Sequence, residues 1–173
     1  MCITGSMLEA NFQVDPEKGH IWHHPEKDRR GQKRKRAGYI KSGSRSDGGG
    51  YRIITVRGRM VRAHHLIWCW VHGEWSSSEI DHINGDRDDN RIKNLRLATV
   101  SQNRNNRPIL RSNTSGYKWV SWSKQRKKWL AEVWYQPGKK HVSFHTTAKE
   151  AYEKACSVAL RFHGAFFNPG KKT

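Results

Sequence analysis

Tryptophan is the feature that most restricts how this chain can fold. The sequence has eight tryptophans in 173 residues, yet its mean hydropathy is only −0.93. A chain of this length can form one medium domain or two small ones. Small domains bury a modest share of their surface and depend on well-packed aromatic side chains. We therefore expect small cores built around indole rings, with some rings left for recognition.

Positive charge indicates the partner. Lys and Arg number 33 against 15 Asp and Glu, a formal net charge of +18. Residues 1–106 carry 19 basic and 12 acidic side chains, a net +7, and residues 107–173 carry 14 and 3, a net +11. Because each neutralised phosphate releases condensed counterions, we expect both halves to face nucleic acid. No apolar stretch approaches the roughly 20 residues of a spanning helix, so a membrane partner is not expected.

The cysteines indicate the compartment. Cys2, Cys69 and Cys156 are too few and too scattered for a disulfide framework, and the sequence has no Cys-x-x-Cys pair for a structural zinc. The N-terminus also lacks an apolar signal core. We expect an intracellular protein without structural zinc.

The N-terminal half shows strand and helix patterns. Tyr51–Val56 and Met60–Ala63 flank a glycine-containing turn and predict a β-hairpin. The apolar residues of Ala63–Val71 fall on one helix face. Ile80–Leu97 predicts a compact unit with a polar turn in its middle. Thr99, with a glutamine three residues later, fits a capping box and predicts the start of a short helix. The basic run Lys27–Arg36 predicts a solvated segment.

The C-terminal third predicts a complete small α+β domain. Tyr117–Ser123, Trp129–Tyr135 and Lys140–Phe144 are three short β-prone runs separated by turns. Thr147–His163 then has the pattern of an amphipathic helix. Three antiparallel strands with one packing helix can enclose a core. Residues 105–115, rich in Asn, Arg, Pro, Ser and Gly, are the best candidate for a linker.

A polar constellation between these parts has the chemistry of phosphodiester hydrolysis. The neutral imidazole of His82 can take a proton from water near pH 7. The carboxylate of Asp81 and an amide oxygen are hard ligands suited to Mg²⁺. Neighbouring strand residues point to opposite faces, so a strand must end or twist at Asp81–His82 for both to serve one site. A hairpin that returns Asn94 beside His82, and a helix that offers Asn103, would complete the set. Alternatively, Asn94 is a turn residue and Asn103 a surface amide.

These stretches resemble the HNH endonucleases, and most closely the branch found in phage-borne, intron-associated homing enzymes. The resemblance covers about residues 38–106. It rests on four segments: Arg62–Trp68, Ile80–Asp86, Asn90–Arg96 and Asn103–Asn105.

The resemblance implies a ββα-metal fold and a role for each residue. Asp81 and Asn103 are implied as ligands of one divalent ion. The expected ion is Mg²⁺, and Mn²⁺ is the alternative. His82 is implied as general base and Asn94 as the residue that orients it. His64 matches an upstream position that we interpret as structural.

Residues 113–168 resemble the plant ethylene-response-factor (APETALA-type) DNA-binding domain, which also occurs fused to phage HNH nucleases. The match rests on Ser115–Trp122, Lys128–Val133 and the helix with its following segment to Asn168. It departs at Trp119, where glycine is usual, and at Val142–Ser143. The implied organisation is a nuclease domain at 1–106, a linker at 107–112 and a DNA-binding domain at 113–168.

A twisted three-stranded sheet can enter the major groove. Alternation separates Val120 and Trp122 from Trp119 and Ser121, and the sequence leaves open which set faces DNA. Trp129 and Trp134 could each be core rings instead. The candidate DNA contacts on these strands and turns are Lys118, Trp122, Lys124, Arg126, Lys127, Lys128, Trp134, Lys139 and Lys140.

Three functions follow as hypotheses. The first is a metal-dependent endonuclease that cleaves duplex DNA as a homing enzyme, acts as a monomer in the host cytoplasm if phage-encoded, and takes no small-molecule substrate. The second is a DNA-binding regulator whose nuclease finger is inactive. The third is an RNA-binding protein, since basic loops and stacking tryptophans would also suit RNA.

Overall fold

The computed structural model describes residues 8–24, 36–40, 50–109 and 112–170. Most of the basic run Lys27–Arg36, and residues 110 and 111 of the predicted linker, lie outside these ranges. Contacts divide the chain into two compact units, Met1–Val100 and Ser101–Thr173. The predicted domain limits at 106 and 113 stay a prediction.

The first unit is built mainly from short antiparallel strands. They are β1 (Phe12–Asp15) paired with β2 (His20–His23), a sheet of β3 (Tyr39–Ile40), β4 (Arg52–Val56) and β5 (Arg59–Arg62) in that order, and β6 (Glu79–His82) paired with β7 (Leu95–Ala98). The turn from β4 to β5 has only Arg57 and Gly58, with φ of 48° and 77°. Two positive φ angles match the right-handed twist of a tight hairpin.

Helix α1 (Ala63–His72) closes the core of the first unit. Its residues Ala63, Leu66 and Ile67 are buried, as the helical spacing predicted, and pack with Ile54 of β4. The helix ends at His72, and the φ of 76° at the following Gly73 is the left-handed conformation common at helix ends.

The β6–β7 hairpin carries the predicted site. A long polar connection and a 3-10 turn (Ile92–Asn94) join its strands, and helix α2 (Val100–Asn105) follows β7. Asp81 pairs with Arg96 across the hairpin and His82 with Leu95. The mixed composition, with small antiparallel sheets and few helices, agrees with the predicted α+β class.

The second unit places one helix against one sheet. Strands β8 (Val120–Ser123), β9 (Lys128–Gln136) and β10 (Lys139–His145) form an antiparallel sheet in the order β10-β9-β8. Helix α3 (Ala148–His163) starts after Thr147, whose side chain accepts a hydrogen bond from the Glu150 N–H. A stripe of buried alanines lets α3 approach the sheet closely. None of the helices within the described ranges is long and apolar enough to cross a membrane.

Candidate active site

Strand β6 ends at the two residues expected to carry the chemistry. Asp81 and His82 are both 4% exposed, although both are polar. Because successive strand residues point to opposite faces, their side chains meet different partners. Asp81 faces its cross-strand neighbour Arg96, and His82 faces a cluster of polar and aromatic residues. The strand ends at His82, as the sequence required if both were to act together.

One amide determines the tautomer of His82. The His82 Nε2 lies 3.1 Å from the Asn90 Oδ1, and the Asn90 Nδ2 donates to the Asp88 main-chain carbonyl at 3.1 Å. That second bond requires the Asn90 oxygen to face the ring, so Nε2 carries the proton and Nδ1 has the basic lone pair. Burial lowers the pKa of His82, against the opposing effects of the Asn90 hydrogen bond and the Asp81 charge. The neutral ring, which can act as a base, is therefore favoured.

Asn94 lies beside His82 in the hairpin, and its own hydrogen bonds hold the connecting loop. Its Nδ2 donates to the Asn84 Oδ1 at 2.9 Å and to the Asp89 carbonyl at 2.7 Å. Its Oδ1 accepts from the Asn84 N–H, and its main-chain carbonyl accepts from the Ile83 N–H. Asn94 thus supports the backbone next to His82, whereas Asn90 contacts the ring. The role of Asn90 could not be predicted from the sequence, because Asn90 lies in an Asn- and Asp-rich stretch that has the pattern of an ordinary turn.

Asp81 is a buried carboxylate with a fixed orientation. Arg96 donates to its Oδ2 through both Nε and Nη2, each at 2.8 Å. Within the described ranges no group of three or more His, Cys, Asp or Glu side chains could hold a metal ion. A single carboxylate still fits Mg²⁺, which keeps several waters and takes oxygens from substrate phosphate. The second predicted ligand, Asn103, is half-buried on α2 and belongs to the second unit.

Two further rings contact His82, those of His64 and Tyr51, and neither was among the predicted catalytic or metal-binding residues. The ring of His64 packs edge-on against His82, with centroids 4.8 Å apart, and Tyr51 lies 6.0 Å from His82. Burial holds the pKa of His64 well below its ordinary value, so its ring is neutral. The His64 Nδ1 is buried without a hydrogen-bond partner in the part of the chain that the structure describes. His65 contacts His64 in turn.

The acidic residues Asp88 and Asp89 of the connecting loop form ion pairs with arginines. Asp88 binds Arg52 at 2.7 Å and Arg36 at 3.1 Å. Asp89 binds Arg91, which lowers the pKa of that carboxyl to about 2. These ion pairs fix the loop that carries Asn90.

The second unit presents one open sheet face. Val120, Ala131 and Val133 are buried under α3, so Glu132 and Trp134, alternate with them on β9, point away from the helix. Trp134 is 49% exposed, and Lys140, its partner on β10, binds Glu132 at 2.7 Å.

The other predicted DNA contacts differ in position. Trp122 is 47% exposed but shares the helix side of the sheet with Trp129, which it meets edge-on with centroids 5.2 Å apart. Trp129 packs against the core. The Lys118 amine donates to the main-chain carbonyls of Asn105 and Asn168. The predicted contacts in the two sheet turns and at the adjoining strand ends are all exposed: Lys124, Arg126, Lys127, Lys128 and Lys139.

Comparison with known proteins gives the family. The sequence profile of the HNH endonucleases matches residues 61–105. Protein 3.8 of Escherichia phage T7 is 40% identical over 106 residues, which are 61% of this chain and 87% of the phage protein. No solved structure matches the chain. The chain therefore belongs to the same family as the T7 protein, and its residues 61–105 form an HNH endonuclease domain, the domain of a hydrolase that acts on DNA.

Proposed function

We propose that the protein is a metal-dependent endonuclease that hydrolyses duplex DNA at the β6–β7 hairpin, with His82 as general base. The observation that carries this proposal is the buried, neutral His82, whose tautomer Asn90 fixes, next to the carboxylate of Asp81 in an HNH domain.

The chain's own residues are assigned one proton transfer, by His82, and the positioning of the groups that take part in it. His82 Nδ1 takes a proton from a water molecule, whose oxygen bonds to phosphorus as the bond from phosphorus to the leaving sugar oxygen breaks. The leaving oxygen takes its proton from solvent. A bound divalent ion, Mg²⁺ or alternatively Mn²⁺, supplies charge stabilisation for the phosphate. Asp81, oriented by Arg96, and Asn103 are the residues proposed to hold that ion.

The open face of the second unit is proposed to select the DNA site, as in a homing enzyme. Trp134 and Lys140 stand on this face, and the basic turns lie at its ends. Lysine and arginine side chains in turns serve phosphate contact better than base recognition. Lys118 is left out of this interface because its amine binds carbonyls of its own unit. We further propose that one copy of the chain acts alone on duplex DNA in an infected cell.

Replacement of His82 tests the nuclease proposal. We expect His82→Ala to abolish Mg²⁺-dependent cleavage of duplex DNA while DNA affinity stays nearly unchanged, because the base acts on water. Asp81→Asn should also abolish cleavage. The exposed His23, in the same unit, is the control, and His23→Ala should cleave normally.

Cleavage-site mapping with Mg²⁺, with and without chelator, is the measurement. Wild-type cleavage by His82→Ala would contradict the proposal. Tight DNA binding without cleavage by the wild-type protein would favour a DNA-binding regulator with an inactive finger. Preference for structured RNA over duplex DNA of equal length would favour the RNA-binding hypothesis.

A further inference from the structure

A cleft in the second unit, here called the edge cleft, lies between helix α3 and strand β10. Its volume is about 620 Å³, and Lys154, Ser157 and Arg161 line it from α3. Tyr135 and His141 line it from the sheet, in which β10 is an edge strand. The two cations of α3 therefore share one cleft that has room for a ligand.

The walls of the edge cleft contain cations and, among the residues that the structure describes, no carboxylate. Residues 107–173 have three acidic side chains, and none of them lines the cleft: Glu132, Glu150 and Glu153. Neither Lys154 nor Arg161 forms an ion pair within the described ranges. Lys140 also lines the cleft, but its amine binds Glu132 on the open face. The uncompensated charge in the cleft suits an anionic ligand.

The charge of Lys154 acts across the edge cleft. Burial lowers the pKa of His141 on β10, and the charge of Lys154 acts in the same direction. At the other end, the Arg161 Cζ lies 5.5 Å from the centre of the Phe162 ring. Phe162 stacks on Tyr135 with ring centroids 4.2 Å apart. This aromatic pair gives the Arg161 end of the cleft a fixed wall.

The spacing of the two cations matches a DNA strand. Lys154 and Arg161 are seven residues apart on α3, so they share a helix face at a separation of about 10 Å along the axis. The phosphates of one strand recur every 3.4 Å or so of duplex axis, about three steps in that distance. A sheet that lies in the major groove also brings its edge strand next to the phosphate backbone that borders the groove.

We propose that the edge cleft binds the phosphate backbone of duplex DNA, with Lys154 and Arg161 as the contacts. This inference rests on the proposed function, because the occupant is the DNA that the open face selects. The bordering strand passes along β10 while the open face enters the groove. Contacts with phosphate carry no sequence information, so the cleft contributes affinity and orientation rather than site preference.

Salt-dependent binding of duplex DNA by the full chain, in chelator to prevent cleavage, is the test. We expect Lys154→Ala and Arg161→Ala each to flatten the slope of log affinity against log salt by about one unit, and the double variant by about two. Lys149→Ala is the matched control and should keep the wild-type slope, because Lys149 is exposed on the same helix but does not line the cleft. An unchanged slope in the double variant would overturn the proposal.

Replacement of Ser157 tests the cleft without removing either cation. Ser157→Glu places a carboxylate three residues after Lys154 and four before Arg161, where it can pair with both. We expect it to flatten the slope nearly as much as the double variant does, whereas Ser157→Gln adds size without charge and should keep the slope. Alanine and glutamate are good helix formers, so thermal melts should show folded variants. If an alanine variant does not fold, a wild-type slope in Ser157→Glu would still overturn the proposal.

Three further outcomes identify the occupant and separate this inference from the nuclease proposal. A flattened slope with structured RNA, but not with duplex DNA of equal length, would overturn the proposal. Weaker DNA binding by Trp134→Ala beside an unchanged slope in the double variant would support the open face and overturn the cleft. A wild-type chain that cuts no DNA with Mg²⁺, yet has a flattened slope in the cleft variants, would refute the nuclease proposal and support the cleft.

Discussion

At His82, a chain of two hydrogen bonds determines which ring nitrogen is basic. The Asp88 carbonyl orients the amide of Asn90, and the Asn90 oxygen then accepts a hydrogen bond from the Nε2–H of His82. Without this chain a neutral imidazole would exchange between two tautomers, only one of which presents a lone pair at Nδ1. Asp88 is itself held by Arg36 and Arg52, so the basicity of one nitrogen depends on residues that are distant in the sequence.

Replacing Asn90 should slow cleavage without weakening DNA binding. We expect Asn90→Ala to lower the single-turnover rate by about 10- to 100-fold, the scale for losing the partner that orients a functional histidine. Asn84→Ala is the comparison, because Asn84 contacts Asn94 and Asp89 in the same loop. Cleavage by Asn90→Ala at the rate of Asn84→Ala would show that the tautomer of His82 is not set by Asn90.

The sequence identified Asp81, His82 and Asn94 as a group, but not the residues that contact the His82 ring. Asn90 lies in a turn-like stretch, and Tyr51 and His64 meet His82 only through folding of distant segments. No local pattern encodes such contacts. The backbone conformation at Trp119, in contrast, agrees with a local feature of the sequence. It stands where the resemblance has glycine, and its φ of 63° is a conformation that glycine adopts freely.

Among the elements, regular patterns predicted the helices and strands well. Helix α1 lies where the apolar spacing predicted it. Helix α3 lies between Thr147 and Gly164, as its own apolar spacing and these two end residues predicted. The alternation on β9 was also visible in the sequence, yet it could not say which side the helix would cover. Burial of Ala131 and Val133 decides this, and it places Trp122 and Trp134 on opposite sides.

These opposite positions give different expectations for the two exposed tryptophans. Trp134→Ala should cost more than about 1 kcal/mol of DNA binding, as for an aromatic contact residue, and leave the melting temperature nearly unchanged. Trp122→Ala removes the contact with Trp129 and should lower the melting temperature of the second unit. Fluorescence anisotropy and thermal melts would measure both effects. Unchanged affinity in Trp134→Ala would contradict recognition through the open face.

Lys118 makes the stability of the second unit depend on pH. Burial lowers the pKa of its amine to about 8 from an ordinary 10.5. Between these values the unfolded chain binds the proton that the folded chain has lost, so this group makes the folded state more stable as pH rises from 8 to 10.5. We expect the free energy of unfolding of the wild type to rise between pH 7.5 and 9.5 relative to that of Lys118→Met.

Urea unfolding at the two pH values would show this difference. The exposed Lys149 on α3 is the control, and Lys149→Met should follow the wild type. A difference between wild type and Lys118→Met that does not change with pH would show that Lys118 keeps its ordinary proton affinity.

For the whole molecule, the order of the elements could be predicted from the sequence, whereas the predicted domain limits at 106 and 113 stay a prediction. The contacts separate the units between Val100 and Ser101, earlier than the predicted linker at 107–112. Long-range hydrogen bonds explain the assignment of α2 to the second unit. Asn105 contacts His163, and Asn168 donates to Asn106. These hydrogen bonds join residues about 60 positions apart in the sequence. A local change in composition therefore does not reveal them.

A fragment of residues 1–110 should cleave weakly and with relaxed site preference. It keeps Asp81 and His82 but loses most of the net +11 of residues 107–173, and it loses the partners of Asn105 and Asn106. Cleavage mapping at two salt concentrations, beside the full chain, would test this. Undiminished site preference in the fragment would show that the second unit does not select the site.

The contacts of the turn between β1 and β2 determine which residues a transferable nuclease fragment must contain. A side chain at Gly19 would run into the backbone of Asn90 and Arg91, and the Pro16 carbonyl accepts from the Ile92 N–H. The N-terminal hairpin therefore packs directly against the loop that carries Asn90. A fragment limited to residues 61–105, the segment that matches the HNH endonucleases, would lack this hairpin. Protein engineers who graft the nuclease onto another DNA-binding scaffold should therefore carry the chain from residue 8 onward.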